Sequence, residues 1–228
     1  MSEIRQAPIE APGVWTGAEL QADRRWEYPL SEADRAELDA ALAQVKDTPL
    51  EVISRDNFSL PGLSSRLTGL SDDLRAGRGF ALVRGFPVEG YAYADIERMY
   101  WGFCAHIGQG LTQNGDASFI HYVTDGKLRP NQGRRGVGFP RKLKLHTDLT
   151  DVVSLLCVRQ APDDPPSRTS SSLTLYNEIL RRRPEALARL YEGFEWDRMD
   201  EHGPGETPTT VYKVPVFSHK EGMISCQY

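Results

Sequence analysis

The stretch His146-Thr147-Asp148-Leu149-Thr150-Asp151-Val152-Val153-Ser154-Leu155-Leu156-Cys157-Val158-Arg159 decides how this chain is read. Its apolar, β-branched second half predicts a strand over 152–159, and His146-Thr147-Asp148 stands at the mouth of another over 143–146. In extended backbone, residues i and i+2 project to the same side, so the His146 imidazole and the Asp148 carboxylate can reach one cation. That donor pair suits iron(II); a second histidine would complete a facial triad that leaves coordination positions open. The spacing alone does not decide it. Five His and 32 Asp plus Glu in 228 residues give about 0.7 chance matches to His-x-Asp/Glu. The bland alternative is a structural histidine hydrogen-bonded by Asp148. A second match, His219-Lys220-Glu221, falls where a hairpin tip is expected and reads as surface.

Outward from this stretch the texture is β-like on both sides. Strands are expected at 119–124, 171–176, 211–218 and 223–228, with Lys220-Glu221-Gly222 as a hairpin turn. A helical insertion is expected at 177–191, bent or restarted at Pro184. Upstream the period changes from two to 3.6. Ser31 and Asp34 resemble a capping pair before a helix with Leu38, Leu42 and Val45 on one face. Leu63, Leu67, Leu70 and Leu74 mark a second helix stopped by Gly77 and Gly79, and Ile96, Met99, Tyr100, Phe103 and Ile107 a third. Phe80 to Val83 reads as a short buried strand. Residues 1–30, with scattered Pro, Gly and Trp, read as an arm anchored by Trp15 and Trp26 on a domain spanning 31–228. The fold class is therefore α+β, a helical N-terminal layer followed by a mainly β body.

Composition narrows the function. A net charge of -5 and a pI near 5.6 argue against nucleic acid as a partner, which would demand a concentrated basic surface. No stretch approaches the ~20 apolar residues of a spanning helix, so no membrane partner is expected, and the N-terminus lacks a secretory apolar core. Cys104, Cys157 and Cys226, odd in number and set in apolar runs, read as buried thiols of a reducing, cytoplasmic compartment.

The ordered series His146-Thr147-Asp148, Asp151-Val152-Val153, Leu155 to Arg159, Ser171-Ser172 and Asn177-Glu178 resembles the core of the taurine-dioxygenase-like (TauD/TfdA) family. The resemblance runs upstream through Gly79 to Gly85, Tyr100-Trp101-Gly102 and Gln113-Asn114, and downstream through Arg181-Arg182-Arg183-Pro184 to Val214-Pro215-Val216-Phe217-Ser218. It implies a double-stranded β-helix of the jelly-roll kind, here expected to be C-terminally incomplete. It also implies a dioxygenase using iron(II) and 2-oxoglutarate to hydroxylate or oxidise a small organic molecule, the oxoacid being decarboxylated to succinate. His146 and Asp148 would be the first two iron ligands, within about 5 Å of one another and facing the roll interior. Ser167, in Asp164-Pro165-Pro166-Ser167, aligns with a family segment whose hydroxyl helps hold 2-oxoglutarate, although two prolines stiffen that loop. Gln113 and Asn114 are the substrate-contact candidates, since their amides both donate and accept; equally, they could only shape a turn.

The resemblance further implies a second histidine ligand and an arginine for the distal carboxylate of 2-oxoglutarate on later strands, which this sequence does not contain. The expectation is thus a family member inactive as this exact chain, with an open sheet edge that could pair copies of the chain. The competing explanations are a fragment of a longer enzyme, a natural truncation that has lost activity, and a non-catalytic small-molecule or partner-binding module on the same fold.

Overall fold

The computed structural model describes residues 4–112, 118–123, 144–160, 162–163, 166–198 and 202–228. The chain forms two compact units, each assembled from separated segments.

The unit built from residues 15–121 and 152–166 is dominated by helices. Thr16 and Glu19 form a capping box that starts the short helix α1 (Gly17–Ala22), which the sequence reading missed. Strand β1 (Glu27–Pro29) leads into α2 (Glu32–Val45). Ser31 and Asp34 close the expected capping box on α2: the Ser31 hydroxyl accepts from the Asp34 N–H, and the Asp34 carboxylate accepts from the Ser31 N–H. A 3-10 turn (Leu50–Val52) precedes α3 (Ser64–Ala76), and β2 (Leu82–Arg84) then pairs parallel to β1 with Tyr28 opposite Val83. Helix α4 (Tyr93–Ala105) follows, ending at His106, whose Nε2 lies 2.7 Å from the Phe58 carbonyl.

The apolar faces of α2, α3 and α4 meet in one core where Leu38, Phe58 and Met99 are fully buried. Gly102 is required there, because a Cβ would sit 2.3 Å from Cγ of Phe58. The two predicted anchors are in place. The Trp15 indole donates to the Arg78 carbonyl, the Trp26 indole to that of Leu20, and both rings tilt against Phe80.

The second unit comprises residues 1–14, 122–151 and 167–228. Helix α5 (Ser172–Arg182) is capped by Ser171, and α6 (Pro184–Glu192) restarts on Pro184, a residue suited to the first helical position. The sequence reading placed 171–176 in a strand. The correction has a clear cause: the Ser171 hydroxyl accepts from the Thr174 N–H, and Tyr176, Ile179 and Leu180 then share one helical face against Leu187, Tyr191 and Phe217. Strand β3 (Phe194–Asp197) pairs antiparallel with β4 (Thr209–Val214). Strands β5 (Phe217–Lys220) and β6 (Met223–Cys226) form the expected hairpin. Its turn residues Glu221 and Gly222 both have positive φ, 52° and 83°, the pattern of a two-residue type I′ turn.

Residues 4–13 are strapped to α5. Asn177 accepts from the Ile9 N–H and donates to the Ile9 carbonyl, the Tyr176 hydroxyl donates to the Arg5 carbonyl, and the Ser171 hydroxyl donates to the Gly13 carbonyl.

Among the described residues the strands make three two-stranded pairs. Residues 152–159 and the described parts of 119–124 and 143–146 carry no strand, contrary to expectation. The α+β class stands, with 211–218 resolved into the end of β4 and the start of β5.

Candidate metal centre

Residues 144–148 run as irregular chain with His146 and Asp148 directed toward one another, His146 Nε2 lying 3.8 Å from Asp148 Oδ1. The spacing meets the same-side expectation. The surroundings do not: the two side chains are 53% and 54% exposed, so they face solvent rather than the interior of a roll. The physical reason is local, since the described residues around them form no strand that would fix one face inward.

The other imidazole nitrogen of His146 lies against the main chain. Its Nδ1 lies 2.8 Å from the carbonyl of Lys144. A carbonyl can only accept, so Nδ1 must carry the hydrogen, and a neutral ring then presents a bare lone pair at Nε2. This orientation by a backbone carbonyl is the usual outer-shell arrangement of a metal-binding histidine. Nε2 and the Asp148 carboxylate are an imidazole and an oxyanion aimed into the same space, the donor chemistry that suits iron(II). The pair therefore fits as part of such a site. Among the described residues no third His, Cys, Asp or Glu joins it.

The remaining site residues divide plainly. Gln113 and Asn114 lie outside the described residues. Ser167 is exposed in the irregular chain before α5, with no hydrogen bond to His146 or Asp148. His202, a further histidine downstream of the motif but not a site candidate, sits in a loop with Nδ1 3.4 Å from the Gly203 carbonyl. His219 is not the solvated surface residue expected. It lies in β5 opposite Ile224 and is half-buried, with Nε2 enclosed and lacking a hydrogen-bond partner among the described residues. Strand alternation accounts for this, because His219 shares its face with Phe217, which is fully buried.

The cysteines form no disulfide, and Cys157 is exposed rather than buried. Burial pushes the Cys104 thiol up and raises Tyr100 to about 12, so neither supplies an anionic nucleophile near neutral pH. Sequence reasoning missed the contact of His146 with the Lys144 carbonyl and the hydrogen bonds between Thr147 and Tyr228. Among the described residues no helix is long and apolar enough to cross a membrane.

Comparison with known proteins agrees with the motif. Residues 44–222 match the model of the "Taurine catabolism dioxygenase TauD, TfdA family". All of the chain aligns at 31% identity over 232 residues with FR-33289 synthase of Streptomyces rubellomurinus, covering 68% of that protein. A taurine hydroxylase-like protein of Stachybotrys chartarum aligns at 28% identity over 225 residues, with 94% of this chain covering 57% of the relative. With its family match spanning most of the sequence and including the His146-Thr147-Asp148 motif, the chain belongs to the TauD/TfdA family.

Proposed function

We propose that this chain serves iron(II)- and 2-oxoglutarate-dependent oxidation of a small organic molecule, with His146 and Asp148 as metal donors on a jelly-roll scaffold. The observation that carries the reading is the placement of His146 Nε2 3.8 Å from an Asp148 carboxylate oxygen, with Nδ1 of the same ring held at the Lys144 carbonyl. Family membership supports the dioxygenase class. When bound, the metal would supply activation of dioxygen coupled to oxidation of the oxoacid.

The protein's share is to hold and orient. Asp148 supplies charge that offsets the cation, and the Lys144 carbonyl holds the imidazole turned outward. Ser167 is proposed to donate to 2-oxoglutarate, and Gln113 and Asn114 to contact the substrate. Two described protein donors retain a metal weakly, since each ligand contributes affinity and geometry. These 228 residues should accordingly turn over 2-oxoglutarate slowly if at all. We also propose a cytoplasmic setting and self-association through the edges that the two-stranded sheets leave unpaired among the described residues, where Val211 and Met223 are exposed. Light scattering at increasing concentration checks the latter; a strictly monomeric chain would contradict it.

The test of the metal site is anaerobic equilibrium dialysis against iron(II), with and without 2-oxoglutarate. The expected result is weak, saturable binding abolished by His146→Ala and by Asp148→Ala. Binding indifferent to both substitutions would overturn the assignment. In parallel, iron-dependent succinate formation at the ~10 per second typical of enzymes would contradict the low turnover expected here.

A further inference from the structure

We propose that Thr147 is a positioning residue for the metal pair, acting as a clasp between the His146-Thr147-Asp148 segment and the main chain of Tyr228; this rests on the metal-donor reading above. Residues 144–148 do not form a strand, so no ladder of strand hydrogen bonds orients the two donors. One residue replaces it. The Thr147 N–H donates to the Tyr228 main-chain oxygen at 2.6 Å, and the Tyr228 N–H donates to Thr147 Oγ1 at 2.9 Å. The Thr147 hydroxyl in turn lies 3.3 Å from the same Tyr228 oxygen.

The two residues thus exchange hydrogen bonds as a strand pair does, with the threonine hydroxyl standing in for the carbonyl. Tyr228 is itself placed by the β5–β6 hairpin, because the neighbouring Gln227 N–H donates to the Val216 carbonyl at 2.8 Å. The clasp connects the donor segment to a hairpin whose Phe217 is fully buried.

Position makes the hydroxyl matter. The hydroxyl of residue 147 is engaged by Tyr228, whereas His146 Nε2 and Asp148 Oδ1 face one another 3.8 Å apart. Pinning it therefore sets which way the donors face without obstructing them. An alanine or valine here would keep the main-chain bond from Thr147 to Tyr228 but leave the Tyr228 N–H without its acceptor. With that bond lost, the relation between Nε2 and Oδ1 would loosen.

The test uses the 228-residue chain with cobalt(II) as the probe, followed by its visible absorption, together with amide exchange at Tyr228. Thr147→Val and Thr147→Ala are made together, so that a folding failure of one leaves the other. Thr147→Ser is the conservative rescue. In Thr147→Val, cobalt(II) affinity should fall about tenfold, the lower range for loss of an outer-shell partner, and Tyr228 amide exchange should quicken by at least about as much. Thr147→Ser should restore both to within about twofold of the parent. A merely structural role would lower the melting temperature while leaving cobalt(II) affinity unchanged, and that result overturns the proposal. His146→Ala separates the two readings. If it binds cobalt(II) as the parent does, the metal-donor assignment fails; if it loses binding while Thr147→Val keeps it, the clasp alone fails.

Discussion

Residues 32–105 and residues 144–159 are both rich in branched apolar side chains, yet they end in opposite environments. Leu38, Val45 and Met99 are at most 1% exposed, whereas Leu145, Leu149 and Leu155 are 58%, 69% and 81% exposed. The difference is one of backbone bonding. A helix satisfies its N–H and C=O groups within its own segment, so α2, α3 and α4 need only lay their apolar faces together. An extended segment must take its partners from elsewhere in the chain, and among the described residues 152–159 enters no strand pair. The candidate donors therefore stand on backbone held by individual contacts, while the helical core is held by many side chains at once.

The sharpest way to break this comparison is to truncate one side chain in each region. Phe58→Ala should cost about 3–5 kcal/mol in urea unfolding, the usual result of emptying a packed aromatic site. Leu155→Ala should fall within about 0.5 kcal/mol of the parent, as exposed positions do. Equal losses would show that 152–159 is packed after all.

A smaller effect probes packing from the other direction. Gly102→Ala places a methyl group against the Phe58 ring and should destabilise by about 1–3 kcal/mol through overpacking. A neutral result would mean that the α4 face has slack. Smaller again is the cap of α2: Ser31→Ala should cost about 1 kcal/mol, read from the same unfolding curves.

Acid adds a directional check on that cap. Burial pushes the Asp34 carboxyl up, but hydrogen bonds from the Ser31 N–H and hydroxyl and from the Arg66 guanidinium outweigh it, and the net shift is downward. A carboxyl lowered by folding stabilises fully above its unfolded value of about 3.9 and loses that contribution as pH falls through the folded value. Asp34→Asn should therefore flatten part of the acid limb of stability against pH and leave the limb above neutrality unchanged. An unaltered acid limb would contradict the assignment.

What was legible in the sequence follows the same division. The cap at Ser31, the stripes of α2 to α4, the stop at Gly77 and the restart at Pro184 could all be read because each depends on residues within a turn or two of one another. The β5–β6 hairpin was legible for the same reason, its turn being local. Helix α5 was misread because Ser172 to Leu175 alternates polar and apolar side chains, whereas the Ser171 cap and the contacts of Tyr176 with Tyr191 and Phe217 select the helical period. At the site, the His146 and Asp148 pairing was readable from two-residue spacing. Their exposure and the Thr147 clasp to Tyr228 were not, because the clasp spans 81 positions in sequence.

Whether His146 and Asp148 together hold a metal ion is tested most directly by anomalous diffraction at the iron edge from crystals grown and soaked with iron(II) without oxygen. A single peak is expected between His146 Nε2 and Asp148 Oδ1, lost in His146→Ala. A peak at another group of residues, or none at an iron(II) concentration that saturates the protein in dialysis, would contradict it.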